Sequence, residues 1–225
     1  MSGRSILSQG YKKLAAEDGA FPKFHRMVRS SSPRGIGDAL SGLSESERCC
    51  ALMIRAEDGT GDTVTHAIVN SGRSYVMEEA LTAITPNQAA EVLLVRNGIQ
   101  QDSLSLLAAC YETAKRIEDA AAEAAKAIIK AQNKMDPHGS YGLPRRAAHQ
   151  ARQPRPGFRS TTEGYLLMMA AIREKLEGKE SLLENTLEII RASGSPQYSI
   201  ITRLIDASRL LTVRPIAGDR PGPAP

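Results

Sequence analysis

The residues from which this chain could assemble a nucleophile are Cys110, His66 and a scatter of carboxylates. Thiol attack needs a thiolate, a base within hydrogen-bond reach, a group to orient that base, and an oxyanion donor. Cys110 follows Ala108 and Ala109 inside a stretch of helical periodicity, a poor place from which to present sulfur to an amide-lined pocket. Cys49 and Cys50 are adjacent and read as small apolar residues on a helix. Three cysteines without a C-x-x-C pair point away from a disulfide framework and from a four-ligand zinc site. The histidines, at 25, 66, 138 and 149, form no metal-binding pattern, and no P-loop, H-E-x-x-H, G-x-S-x-G or G-x-G-x-x-G occurs. Glu78, Glu79, Glu112, Glu118, Asp119 and Glu123 read as solvent-facing charges, with Glu112 and Arg116 spaced as an i,i+4 pair. The expectation is no catalytic residue, no cofactor and no metal. An enzyme of unrecognised class is kept as an alternative.

Phosphate or acidic-partner chemistry has a more definite address. Residues 137–160 hold five arginines and no carboxylate, so Arg145, Arg146, Arg152, Arg155 and Arg159 are the candidate contacts for a phosphate or an acidic partner. The same stretch carries four prolines and three glycines and has no apolar period, which reads as a flexible basic linker. Tyr141 and Phe158 are its only aromatics, thin material for base stacking. The net charge of +4 is mild, but residues 1–34 add seven Lys/Arg against Glu17 and Asp18.

The elements around these residues read as helices. Hydrophobic content is 41% while aromatics are 4% and Trp is absent, a texture that suits close helix packing better than a sheet. An internal register of about 41 residues runs through the first half. "LAAEDG" at 14–19 is answered by "IRAEDG" at 54–59, "HRMV" at 25–28 by "HAIV" at 66–69, and "ALSGL" at 39–43 by "ALTAI" at 80–84. "LSESERCCALMIR" lies over "ITPNQAAEVLLVR", so Ser44 with Glu47 and Thr85 with Gln88 each predict a capping box. One helix should bury Cys49, Leu52, Met53 and Ala56, the other Ala89, Val92 and Leu93. Asp62 and Asp102 should each open a further helix. The second of these runs from about Ser103 to Gln132, with one face (Leu107, Tyr111, Ala114, Ile117, Ala121, Ala124, Ile128) expected to be buried along most of its length. Beyond the basic stretch, Ser160-x-x-Glu163 and Ser181-x-x-Glu184 predict two more capped helices. "EIIRASGSPQYS" then repeats the layout of "EVLLVRNGIQQDS".

Over residues 3–130 this period and helix content resemble armadillo/HEAT-like helical-repeat modules. The fold class expected is all-α, either an irregular solenoid-like helical repeat or a multi-helix bundle, with a basic Pro/Gly/Arg-rich insert. Its organisation reads as a basic Ser-containing, partly helical leader (1–34), a helical-repeat core (35–133), the linker (134–160), a C-terminal helical segment (161–212) and a disordered tail (213–225). Helical arrays work by offering long surfaces without a pocket. The expected function is a non-enzymatic protein-interaction module with a protein partner, of the kind a bacterial effector uses on a host protein. Nucleic-acid binding through 145–159 is the alternative. No transmembrane segment is expected, and a soluble protein, cytoplasmic or secreted into a host cell without a cleaved signal, is the predicted localisation.

Overall fold

The computed structural model describes Phe24, Val28 and residues 35–56, 59–135, 161–177 and 181–211. Among these, nine helices occur and no strand. In chain order they are α1 (Gly35–Ser41), α2 (Glu45–Met53), α3 (Val64–Ser71), α4 (Ser74–Thr82), α5 (Pro86–Leu94), α6 (Ser103–Met135), α7 (Thr161–Glu177), α8 (Leu182–Ala192) and α9 (Tyr198–Ser208). Phe24 and Val28 are also helical and buried.

Local chemistry fixes where these helices begin. At Thr85 the hydroxyl accepts from the Gln88 N–H (3.4 Å) and the Gln88 side chain accepts from the Thr85 N–H (2.9 Å), with Pro86 in the first helical position. At Ser44 the Glu47 carboxylate takes both the Ser44 N–H (3.0 Å) and its hydroxyl (2.7 Å). The start of α3 departs from expectation: Thr63, not Asp62, is the N-cap, in a box closed by His66. Asp102 does cap α6, accepting from the Ser105 N–H at 2.8 Å. The box expected at Ser181 does not form. Ser181 has φ 64°, and its side chain makes no capping bond.

The three triplets α1–α3, α4–α6 and α7–α9 are successive layers. α1 packs on α4 and α4 on α7; α2 packs on α5 and α5 on α8; α3 packs on α6 and α6 on α9. Each helix therefore lies against its own counterpart one layer on, which is how a helical solenoid is built. The stacked helices α2 and α5 run in the same direction. Gln88 Nε2 donates to the Glu45 carbonyl at their first turns (3.4 Å), and the Gly98 N–H donates to the Thr60 carbonyl in the loops beyond their ends (2.8 Å).

One continuous apolar core threads the layers, through Leu40, Leu52, Ile68, Met77, Leu93, Leu107, Met168, Ile172 and Leu176. The strips predicted on α2 and α5 are there through Cys49, Leu52, Ala89, Val92 and Leu93, which are buried, and Met53, which is half-buried; Ala56 is buried too, but α2 ends at Met53 and Ala56 lies in the hairpin that follows. α7 is the most enclosed helix, touching α4, α5, α6, α8 and α9. It buries Tyr165, Met168, Met169, Ala170, Ile172 and Leu176, a wider arc than one amphipathic strip. Gly164 lets it approach the turn between α3 and α4, because a Cβ there would sit 2.6 Å from the Gly72 carbonyl oxygen.

The long helix corrects an expectation. Leu107 and Ala114 are buried and Tyr111 half-buried, but Ile117 is 65% exposed and every residue from 119 to 131 is exposed. Only the part of α6 up to Glu118 touches the layers. The rest projects beyond them, two residues into the span read as linker.

Candidate functional site

The most elaborated surface lies where the loops between the second and third helices of each layer come together. In layer one, an isolated antiparallel bridge joins Arg55 and Thr63, and the Ala56 N–H donates to the Asp62 carbonyl (2.7 Å). In layer two the bridge joins Arg96 and Asp102, and the Asn97 N–H donates to the Gln101 carbonyl (3.0 Å). Both loops are thus short hairpins. They clasp one another through the Gly98–Thr60 backbone bond and through Asn97 Nδ2 donating to Asp62 Oδ1 (2.8 Å). Asn97 Oδ1 meanwhile accepts from the Ile99 and Gln101 N–H groups, holding its own turn closed. No side chain fits at 98, where a Cβ would lie 2.5 Å from the Thr60 oxygen.

His66 completes the clasp. Its Nδ1 lies 2.7 Å from the Thr63 hydroxyl and 3.3 Å from the Thr63 N–H, and its Nε2 lies 2.9 Å from the Gln101 carbonyl of the next layer. A carbonyl only accepts, so Nε2 carries the proton and Nδ1 accepts from the Thr63 amide. Burial holds the His66 pKa below its usual 6.5, against the pull of the Gln101 carbonyl and of Asp62 and Asp102. The ring is a neutral structural bolt with both nitrogens engaged.

The cysteines are equally committed. Burial pushes Cys49 up to about 12, with Glu91 and Cys50 adding to it. Burial also raises Cys50 and Cys110, the latter despite a hydrogen bond with Tyr165. Tyr165 is itself pushed up to about 12 by burial and by Cys110. Cys110 lies 3.8 Å from Asn70 Oδ1, so thiol, phenol and amide form an interlayer contact made by protonated groups. Among the described residues no three His, Cys, Asp or Glu gather as metal ligands, and no helix is long and apolar enough to cross a membrane.

Between the second and third loops lies an open cleft of about 350 Å³ lined by Arg96, Ile99, Asp102, Ser105, Ser195 and Gln197. Its floor is a polar chain: Ser105 Oγ donates to Asp102 Oδ2 (2.9 Å) and meets Ser195 Oγ (2.8 Å), which meets Gln197 Oε1 (3.3 Å). Its lip is Ile99, 76% exposed, next to Gln100 at φ 63°. A second groove of about 390 Å³ opens on α8 and α9, between Leu183, Leu187, Ile205 and Arg209.

The predicted contacts Arg145, Arg146, Arg152, Arg155 and Arg159 lie outside the described residues, as do His25, His138, His149, the stretch 14–19 and the pair Glu57–Asp58. What sequence reasoning missed is the Thr63–His66 box, whose third residue is neither Glu nor Gln. Glu118, read as a free surface charge, in fact accepts from the Thr162 N–H (3.2 Å) and hydroxyl (2.6 Å), capping α7 from the flank of α6. No family model, no curated protein and no solved structure matches this chain.

Proposed function

We propose that this protein is a non-enzymatic interaction module that grips a protein partner along its hairpin edge. The observation that carries this reading is the clasped pair of loops. They present exposed Ile99, Gln100 and Arg96 beside an open polar cleft, on a scaffold whose buried histidine and cysteines are taken up by packing. Rigid loops on a layered stack suit recognition, because little ordering entropy is lost on binding.

The test is copurification from the native environment, repeated with Arg96→Glu/Ile99→Asp and with Arg145, Arg146, Arg152, Arg155 and Arg159 changed to Gln. A partner retained by the wild type and by the arginine variant, but lost with the double substitution at unchanged helical circular dichroism, supports the edge. Loss with the arginine variant alone moves recognition to the arginines. Salt-sensitive nucleic-acid binding, abolished when Arg145, Arg146, Arg152, Arg155 and Arg159 become Gln, would replace this reading with the nucleic-acid one. The wider setting read from the sequence, a bacterial effector delivered into a host cell, draws on the basic Ser-containing residues 1–34, the helical repeats and the basic insert together. It predicts a host-derived partner in the same experiment.

A further inference from the structure

The hairpins of layers one and two share a register that the loop of layer three breaks. Counted back from the bridges, Thr63 matches Asp102, Asp62 matches Gln101, Gly61 matches Gln100 and Thr60 matches Ile99. The backbone follows the same register, for Gly61 and Gln100 are both left-handed, at φ 61° and 63°. The Asp62 and Gln101 carbonyls each accept across their own turn, from the Ala56 and Asn97 N–H groups. His66 and Ser105 match as well, each three residues past its cap, and each touches the next layer: His66 the Gln101 carbonyl, Ser105 the Ser195 hydroxyl.

On hairpin one the outward edge is occupied. The Thr60 carbonyl accepts the Gly98 N–H and Asp62 Oδ1 accepts Asn97 Nδ2, so an Asn-Gly turn sits against it. On hairpin two the matching edge is open. Among the described residues no group donates to the Ile99 carbonyl, and the side chains of Arg96 and Gln101 bond to none. The cause is length: α8 and α9 are joined by 193–197 alone, where α5 and α6 have 95–102 and α2 and α3 have 54–63. A Cβ on Gly98 would strike layer one, whereas a Cβ on Gly194 in the third loop meets nothing within 4 Å. The cleft of about 350 Å³ between loops two and three is the place a third hairpin would have taken.

We infer that this cleft receives a turn of a protein partner, with Gly at the point of closest approach and Asn or Asp just before it. The inference rests on the hairpin edge being the gripping surface, and it names what is gripped. The occupant of the equivalent place one layer earlier supplies the template. The partner's Gly N–H donates to the Ile99 carbonyl as Gly98 does to Thr60, and a side chain at the Gly position would meet the same obstruction that excludes one at 98. The Asn or Asp meets the Gln101 amide, which both donates and accepts, so either fits where Asp62 takes only a donor. Ser105 and Ser195 close the floor beneath the turn, as His66 and Gln101 do beneath Asn97-Gly98. The chain's own Asn97-Gly98 is spent on layer one and is not available as the occupant.

A peptide copy of residues 95–102, cyclised head to tail, is the probe. Titrated into the full chain and followed by two-dimensional NMR, it should shift the Ile99, Gln101 and Ser195 amides with a Kd of about 1 mM. The same peptide with Gly98→Val should bind at least tenfold more weakly. In the protein, Ser193→Trp fills the cleft from an exposed position on its lining and should abolish the shifts at unchanged helical circular dichroism. No shift up to about 5 mM peptide overturns the inference, as do shifts confined to other residues or equal binding of the Val peptide. In the copurification, a partner lost with Arg96→Glu/Ile99→Asp and with Ser193→Trp supports the cleft. A partner lost with the former and kept by Ser193→Trp overturns the cleft while the hairpin edge stands.

Discussion

The junction between layers one and two and the junction between layers two and three join equivalent helices by different chemistry. The first is a polar clasp: His66 to the Gln101 carbonyl, Asn97 to Asp62, Gly98 to Thr60, and Arg48 Nη1 to the Ala83 carbonyl at 3.2 Å. The second is dominated by apolar burial. α7, with Met168, Met169 and Ile172 fully buried, packs on α4, α5 and α6 and brings Gly164 onto Gly72, and the polar bonds here include Ser105–Ser195, Glu118–Thr162 and Cys110–Tyr165. Layers one and two are contiguous in sequence, so a short hairpin joins the helices of one layer and reaches the next. Layer three begins 25 residues after α6 ends and must find its place by shape. Directional bonds hold the neighbours in sequence, and packing recruits the distant unit.

Three substitutions sharpen that contrast. The largest effect is expected for Met169→Ala in the apolar junction. Removing a fully buried side chain there should cost about 2–5 kcal/mol in urea unfolding, with layer three losing hydrogen-exchange protection first. Gly164→Ala comes next. Alanine is the better helix former, yet its Cβ would meet the Gly72 backbone, so a net loss of about 1–3 kcal/mol is expected. A gain in stability would show that the two layers can slide apart freely. The smallest is His66→Gln in the polar clasp, about 1 kcal/mol at pH 7.5 for a bond that a glutamine imitates poorly. Its signature is in the pH dependence. The unfolded chain takes a proton near 6.5 and the folded one only at lower pH, so the His66 contribution is complete above 6.5 and is lost as pH falls below it. The wild type should therefore lose more stability than His66→Gln between pH 7.5 and 5.5.

Much of this architecture is readable along the chain. Ser44 and Thr85 announce their helices because each cap and its Glu or Gln partner are three residues apart, and the period that relates α2 to α5 is the period of the layers. Where reading fails, the missing information is three-dimensional. The apolar rhythm of α6 marks a face but not what lies against it, so the covered Leu107 and the bare Ile128 look alike in sequence. Ser181-x-x-Glu184 has the letters of a capping box, but the backbone at Ser181 is left-handed and its hydroxyl accepts from Asn185 Nδ2 (3.5 Å) instead of a helix N–H. The hairpin edge was legible only as turn residues, since Asn97 gains its role from Asp62 thirty-five residues away.

Glu118 gives the molecule a property of a different order. By receiving Thr162, it writes the starting point of the third layer onto the side of the second. The address of that layer is therefore stored on a folded surface and need not be carried by the connecting chain. A length of sequence can be added or exchanged between α6 and α7, provided it still spans back from Met135, without erasing the instruction for where α7 must land. Such a position is where an array of this kind can acquire new sequence, over generations or by design, and keep its shape.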